Sequence, residues 1–135
     1  IKTVGRGLGL RRGCGVRHLR VITPGEVRLV YFPFSHSEAE PYKKRPVLVL
    51  ASHGTPPDQA VLVAMITGSA ARVARPHPGD IVLTDWQRMR LDKPSVIRTR
   101  RIWTAEARDF TGNTLGAVGV DVLEAVKEQV RRTLD

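Results

Sequence analysis

Lys43-Lys44-Arg45-Pro46-Val47-Leu48-Val49-Leu50-Ala51 is the stretch that decides the fold. The apolar run from Val47 to Ala51 is short and continuous, which predicts a central strand buried on both faces. Three adjacent cations stand immediately before it. They cannot all face a core, so at least some point into open space. Pro46 biases Arg45 toward an extended backbone and removes a ladder donor where the strand begins.

Working outward, the pattern repeats as short apolar runs bounded by Gly, Pro, Asp and Ser, the mark of a small, mainly β domain. Val27 to Phe32 reads as a strand ended by Pro33, and a polar loop from Ser35 to Lys44 follows. Thr55-Pro56-Pro57-Asp58 marks a turn before a third run, Ala60 to Thr67. After an Arg- and Pro-rich link, Arg72 to Pro78, come two more strand-like runs, Asp80 to Thr84 and Ser95 to Thr104. The last stretch has helical spacing instead. Val122, Val126 and Val130, joined by Leu123 and Leu134, form an apolar stripe with Glu124, Lys127, Glu128, Arg131 and Arg132 outside it. Strands followed by an amphipathic C-terminal helix predict a small β-barrel capped by that helix.

The chain has 135 residues, 22 Lys and Arg against 13 Asp and Glu, and a formal net charge of +9. That length makes one domain, assigned to residues 24–135. Residues 1–23 hold six cations, no acid and five glycines, and read as a flexible basic arm, either RNA-binding or a dispensable, non-native extension. The remaining domain carries only three cations in excess, so position matters more than total charge. Arg72, Arg75, Arg88, Arg90, Lys93, Arg98, Arg100, Arg101 and Arg108 nevertheless outnumber Asp80, Asp85, Asp92 and Glu106 in the half expected to wall a groove. Cys14 is the single cysteine and cannot form an internal disulfide, which suits a reducing cytoplasm. Cys14 has no neighbouring acid or base and is no candidate nucleophile. His18, His36, His53 and His77 lack metal-site spacing, so neither a metal nor a cofactor is expected. No apolar run reaches the roughly 20 residues of a membrane span.

Three segments carry chemistry. Arg45, fixed beside Pro46, has a planar fork suited to two phosphate oxygens, with Lys43 and Lys44 beside it. Ile66-Thr67-Gly68-Ser69 closes the third strand with two hydroxyls and free backbone N–H groups that can meet a phosphate oxygen, although the same tetrad also makes an ordinary turn. In Ser95-Val96-Ile97-Arg98-Thr99-Arg100-Arg101, alternation puts Arg98 and Arg100 on one face and Arg101 on the other.

In this order, these segments resemble the PemK/MazF family of toxin endoribonucleases. The resemblance is carried by Pro24-Gly25-Glu26-Val27, Phe32-Pro33-Phe34, Lys44-Arg45-Pro46-Val47-Leu48-Val49-Leu50, Ile66-Thr67, Leu83-Thr84-Asp85-Trp86 and Leu91-Asp92-Lys93-Pro94-Ser95-Val96-Ile97-Arg98. It covers about Pro24 to Leu134. It implies an SH3-like β-barrel of the PemK/MazF/CcdB type, a cytoplasmic homodimer with its RNA groove at or near the dimer interface, and inhibition by a cognate antitoxin. It also implies metal-independent cleavage of single-stranded RNA, the ribose 2′-OH attacking the adjacent phosphate to leave 2′,3′-cyclic phosphate and 5′-OH ends. By position, Arg45 matches the arginine that stabilises charge or donates the proton, and Thr67 the threonine on the scissile phosphate. Arg98 matches an arginine of the fifth strand, and Glu40 the glutamate of the loop before the Arg-Pro pair.

The chain departs from that pattern at three places. Arg100 stands where relatives carry an Asp, and a guanidinium stays protonated, so the general base falls to Glu40, to His36 or to no residue. Ser69 lies one residue later than the usual hydroxyl, and Met89-Arg90-Leu91 replaces a small residue, Gly and Leu. Arg90 and Arg100 then strengthen phosphate binding. Two other classes compete: an RNA-binding module on the same barrel without catalysis, and a protein-targeting toxin like CcdB. The latter works through an aromatic helix end, whereas this chain ends in Arg131-Arg132-Thr133-Leu134-Asp135. Tyr31, Tyr42, Phe34 and Trp86 are the candidates for stacking on bases, with Tyr31 and Trp86 expected in the core.

Overall fold

The structure is a computed structural model and describes residues 21–32, 43–55 and 58–134. His36, Glu40, Phe34, Tyr42, Cys14 and all but the last residues of the basic arm lie outside the described residues. Lys43 is described by its backbone alone. Six strands, β1 (Glu26–Phe32), β2 (Lys43–His53), β3 (Ala60–Thr67), β4 (Ile81–Leu83), β5 (Ser95–Glu106) and β6 (Phe110–Ala117), are joined by a short helix α1 (Ala70–Ala74) and followed by α2 (Val120–Leu134). They form one antiparallel sheet in the order β4-β5-β3-β2-β1-β6.

The run at the centre of β2 behaves as its composition demands. Leu48 and Leu50 enter one apolar cluster with Val27, Ala64, Ile66, Ile97 and the helix residues Val126 and Val130. Val47 and Val49 enter the other, with Ile22, Val30, Val61 and Val63. Alternation therefore sends neighbouring side chains of one strand into two cores, and all four are buried. Helix α2 covers the first cluster. Burying Val126 and Val130 contributes about 1.5–3 kcal/mol each, while Glu124–Lys127 and Glu128–Arg131 pairs face outward. Leu134, placed on the stripe by spacing, is 73% exposed at the end of the helix.

The expected barrel is not closed by a ladder. Strand β4 has three residues and spends its pairing on β5, so β4 and β6 are the two edges of an open sheet. A 3-10 turn after β4, Trp86–Met89, packs across to β6 instead. Its approach is so close that a Cβ at Gly116 would lie 2.8 Å from Met89 Sδ and 3.0 Å from the Arg88 carbonyl oxygen. Packing thus bridges the gap that a ladder would have filled.

At the other end, Ile22 is 2% exposed within the second cluster. The ordered fold therefore includes residues ahead of the expected boundary at Pro24.

Candidate functional site

Register places the candidate residues together. Val47 of β2 pairs with Met65 of β3, and Met65 pairs with Arg98 of β5. Continuing the β2–β3 register by two residues sets Arg45 opposite Thr67, whose partner on β5 is Val96. Side chains two residues apart share a face, so Arg45, Thr67 and Arg98 stand on one face of three neighbouring strands. This is the end of the sheet where the apolar rows run out.

Two depressions open there. The larger, of about 500 Å³, is lined by Lys44, Arg45, Thr67, Ser69, Arg90 and Lys93, with Leu29, Ile66, Leu91 and Leu115 as apolar floor. Asp92 is its one lining carboxylate. The smaller, of about 400 Å³, is lined by Thr67, Ser69, Ala71, Arg72, Arg75, His77 and Arg98. Thr67 and Ser69 belong to both, so the turn that ends β3 is the ridge between them.

That ridge is preorganised. The Ser69 N–H donates to Thr67 Oγ1 at 3.2 Å, which leaves the threonine hydroxyl proton to be donated outward. Gly68 between them is covered by Lys93, whose stem would lie 2.6 Å from a Cβ at that position. Any other residue displaces the stem of Lys93. Ser95 is buried beneath, its hydroxyl donating to the Lys93 carbonyl at 2.9 Å.

Arg90 reaches the larger depression from an unusual backbone. It caps the 3-10 turn at φ 54°, the left-handed region, and among the described residues is the one non-glycine with positive φ. A branched Cβ is unfavourable there and glycine is the usual occupant.

Burial lowers the Arg98 pKa from its ordinary value, and Arg72 and Arg101 push in the same direction, with Asp80 opposing them. Positive charge is therefore concentrated beyond what the local carboxylate offsets. Asp80 itself is spent on structure, pairing with Arg72 at 3.7 Å and accepting the His77 N–H at 2.9 Å. Thr99, also buried, donates to the Gly79 carbonyl at 2.8 Å and pins the same loop to β5.

Of the residues selected by sequence, Lys44, Arg45, Thr67, Ser69 and Arg90 meet in one depression and Arg98 in its neighbour. Arg100 lines neither. The β3–β5 pairing steps from Met65↔Arg98 to Ala64↔Ile102, so Thr99, Arg100 and Arg101 have no counterpart and simple alternation fails there. The Arg100 Nε lies beside Gly79, within 4.0 Å of where its Cβ would stand. Arg72, Arg75 and Lys93, legible only as part of a charge excess, turn out to be lining residues, as does His77. Among the described residues no group of three or more His, Cys, Asp or Glu could hold a metal ion. No helix among them is long and apolar enough to cross a membrane.

The fold has relatives among solved structures. The Mycobacterium tuberculosis toxin MazF-mt6 is similar at 22% identity and a TM-score of 0.59, over 82% of this chain and 96% of that one. MazF in a MazE–MazF crystal structure from Deinococcus radiodurans matches at 17% identity and 0.62, over 85% and 97%. A mycobacterial endoribonuclease solved with its cognate antitoxin matches at 13% and 0.59, over 84% and 95%. At these identities the likeness establishes the fold. Comparison with curated proteins gives no match. A family model for the PemK-like, MazF-like toxins of type II toxin-antitoxin systems matches residues 23–134, nearly the whole described fold, and the chain belongs to that family.

Proposed function

We propose that this toxin is a metal-independent endoribonuclease of single-stranded RNA, acting as a cytoplasmic homodimer. The observation that carries the reading is the placement of Arg45, Thr67 and Arg98 on one sheet face around a ridge of hydroxyls. The 2′-oxygen attacks phosphorus, forming the P–O2′ bond as the P–O5′ bond breaks. The 2′ proton goes to a base and the departing 5′-oxygen receives one from an acid. Arg45 and Lys93 neutralise charge on the phosphorane oxygens, and Thr67 donates a hydrogen bond to one of them. The base is Glu40 or His36, both in the β1–β2 loop. A duplex denies the 2′-OH its in-line path, so the substrate is single-stranded.

The larger depression also suits the partner expected of such a toxin. An antitoxin segment bearing acidic and apolar side chains would meet cations on the rim and leucines on the floor. A binding module without catalysis is the second reading, favoured by Arg100 where relatives carry an acid.

Incubating the purified chain with single-stranded RNA and EDTA decides between them. Products with 2′,3′-cyclic phosphate and 5′-OH ends are expected, falling by about 10²–10³ on Arg45→Ala or Thr67→Ala. Intact RNA, or products with 3′-OH ends, would overturn the cleavage reading.

A further inference from the structure

We propose that the smaller depression is a second phosphate subsite, which holds the backbone phosphate neighbouring the scissile one through Arg75 and Arg98, with His77 beside them. The inference rests on the ribonuclease reading in taking RNA as the ligand. It goes beyond it in giving Arg75 and His77 a place in binding.

The two depressions differ in chemistry. The larger combines four cations with an apolar floor, and so has room for a base or an apolar side chain next to a phosphate. The smaller has Ala71 as its one apolar lining residue and no lining carboxylate. A protein segment of mixed acidic and apolar character would find nothing there for its apolar side chains. A phosphate would find two guanidinium forks and an imidazole.

Its walls are also built. Asp80, whose side chain is 3% exposed, holds Arg72 from one side and the His77 backbone from the other. With Arg72 so engaged, Arg75 and Arg98 line the space with no carboxylate among its lining residues, and Asp80 only partly offsets the positive surroundings of Arg98. Thr67 and Ser69 contribute to both spaces, so a strand crossing that ridge places consecutive phosphates in consecutive depressions.

Arg75 is exposed, which makes Arg75→Ala a variant that leaves packing intact. The probe is a single-stranded RNA with 2′-O-methyl riboses, which cannot be cleaved. Parent and Arg75→Ala chains are titrated with it across salt concentrations, and again with probes in which single linkages are replaced by neutral methylphosphonates. Arg75→Ala should weaken binding about tenfold and reduce the salt slope by about one. One linkage should exist whose neutral replacement abolishes that difference. Equal affinity of parent and variant overturns the subsite, as does a loss of affinity that no single neutral linkage removes. A variant that binds RNA normally but loses affinity for an acidic protein segment overturns it in favour of a partner site. Absence of RNA binding by the parent overturns it also. Cleavage of ordinary RNA by the parent is scored separately, so a failed subsite in an active nuclease is distinguished from a failed nuclease.

Discussion

Gln59 holds the backbone of Ile22 at both polar groups: the Ile22 N–H donates to Gln59 Oε1 at 3.2 Å, and Gln59 Nε2 donates to the Ile22 carbonyl at 3.0 Å. Both residues are at most 2% exposed. The side-chain amide stands in for a neighbouring strand, completing the pairing of a segment that has no ladder partner among the described residues. Gln59→Leu leaves a buried N–H and C=O without partners, and should cost about 2 kcal/mol or more. A chain starting at Pro24 loses the same bonds together with the burial of Ile22, about 1.5–3 kcal/mol, whereas one starting at Val21 keeps both. Urea midpoints of the three chains measure this. Equal midpoints for the starts at Val21 and Pro24 would refute it.

Arg90 sits in a left-handed conformation, φ 54°, that costs a side-chain-bearing residue about 1–2 kcal/mol and that glycine adopts freely. Strain retained at a site is expected where the side chain serves the site. Arg90→Gly should therefore raise stability, by about 0.5 kcal/mol after the greater chain entropy of glycine. RNA affinity should fall at the same time, with a salt slope smaller by about one. Thermal unfolding and an RNA titration series check the two halves. A variant less stable than the parent would show that the guanidinium is a structural brace.

How much of this was legible in the sequence depends on the segment. Strands with apolar side chains on a packed face were, and β3 matches its expected span, Ala60 to Thr67. Strand β6 was not. Phe110-Thr111-Gly112-Asn113-Thr114-Leu115-Gly116-Ala117 lacks alternation because it is an edge strand with no fully buried residue. It is held by long-range polar contacts, among them Arg28 Nη2 donating to the Gly112 carbonyl at 2.8 Å. Arg98 was legible because it lies within the paired part of β5. Arg100 was not, because the interruption that releases it depends on how β3 pairs across from it. The smaller depression was hidden for a related reason: Arg75 and His77 looked like linker residues, and only the Asp80 and Thr99 anchors fold that linker into a wall.

Gly68 is the clearest case of a glycine kept for a neighbour's side chain. A methyl group there would meet Lys93 Cγ at 2.9 Å and Cε at 2.6 Å, so the stem must leave the ridge. Lys93 is exposed, and moving it disturbs no core contact. Gly68→Ala should leave the unfolding midpoint within about 0.5 kcal/mol and weaken RNA binding several-fold. Lys93→Ala should weaken it similarly. The double variant should be no worse than either single one, because both remove the same ammonium from the same place. Additive losses would mean that Gly68 acts through the backbone of the ridge.

Tyr31, expected in the core, is 40% exposed, with Lys44 Nζ 5.6 Å from its ring centroid. The two residues are paired partners on β1 and β2, and Lys44 lines the larger depression. The ring is therefore placed to do one of two things: stack on a base, or hold Lys44 by its π face. The salt dependence separates them. Stacking is worth about 1–3 kcal/mol per base and releases no counterion, so Tyr31→Ala should weaken RNA binding at least fivefold with an unchanged salt slope, and Tyr31→Phe should restore it. A ring that serves only to position Lys44 would give a smaller slope in Tyr31→Ala, and Lys44→Ala would then mask any further effect of removing the ring. The exposure of the ring, beside a lysine that lines the depression proposed to bind RNA, favours the first outcome.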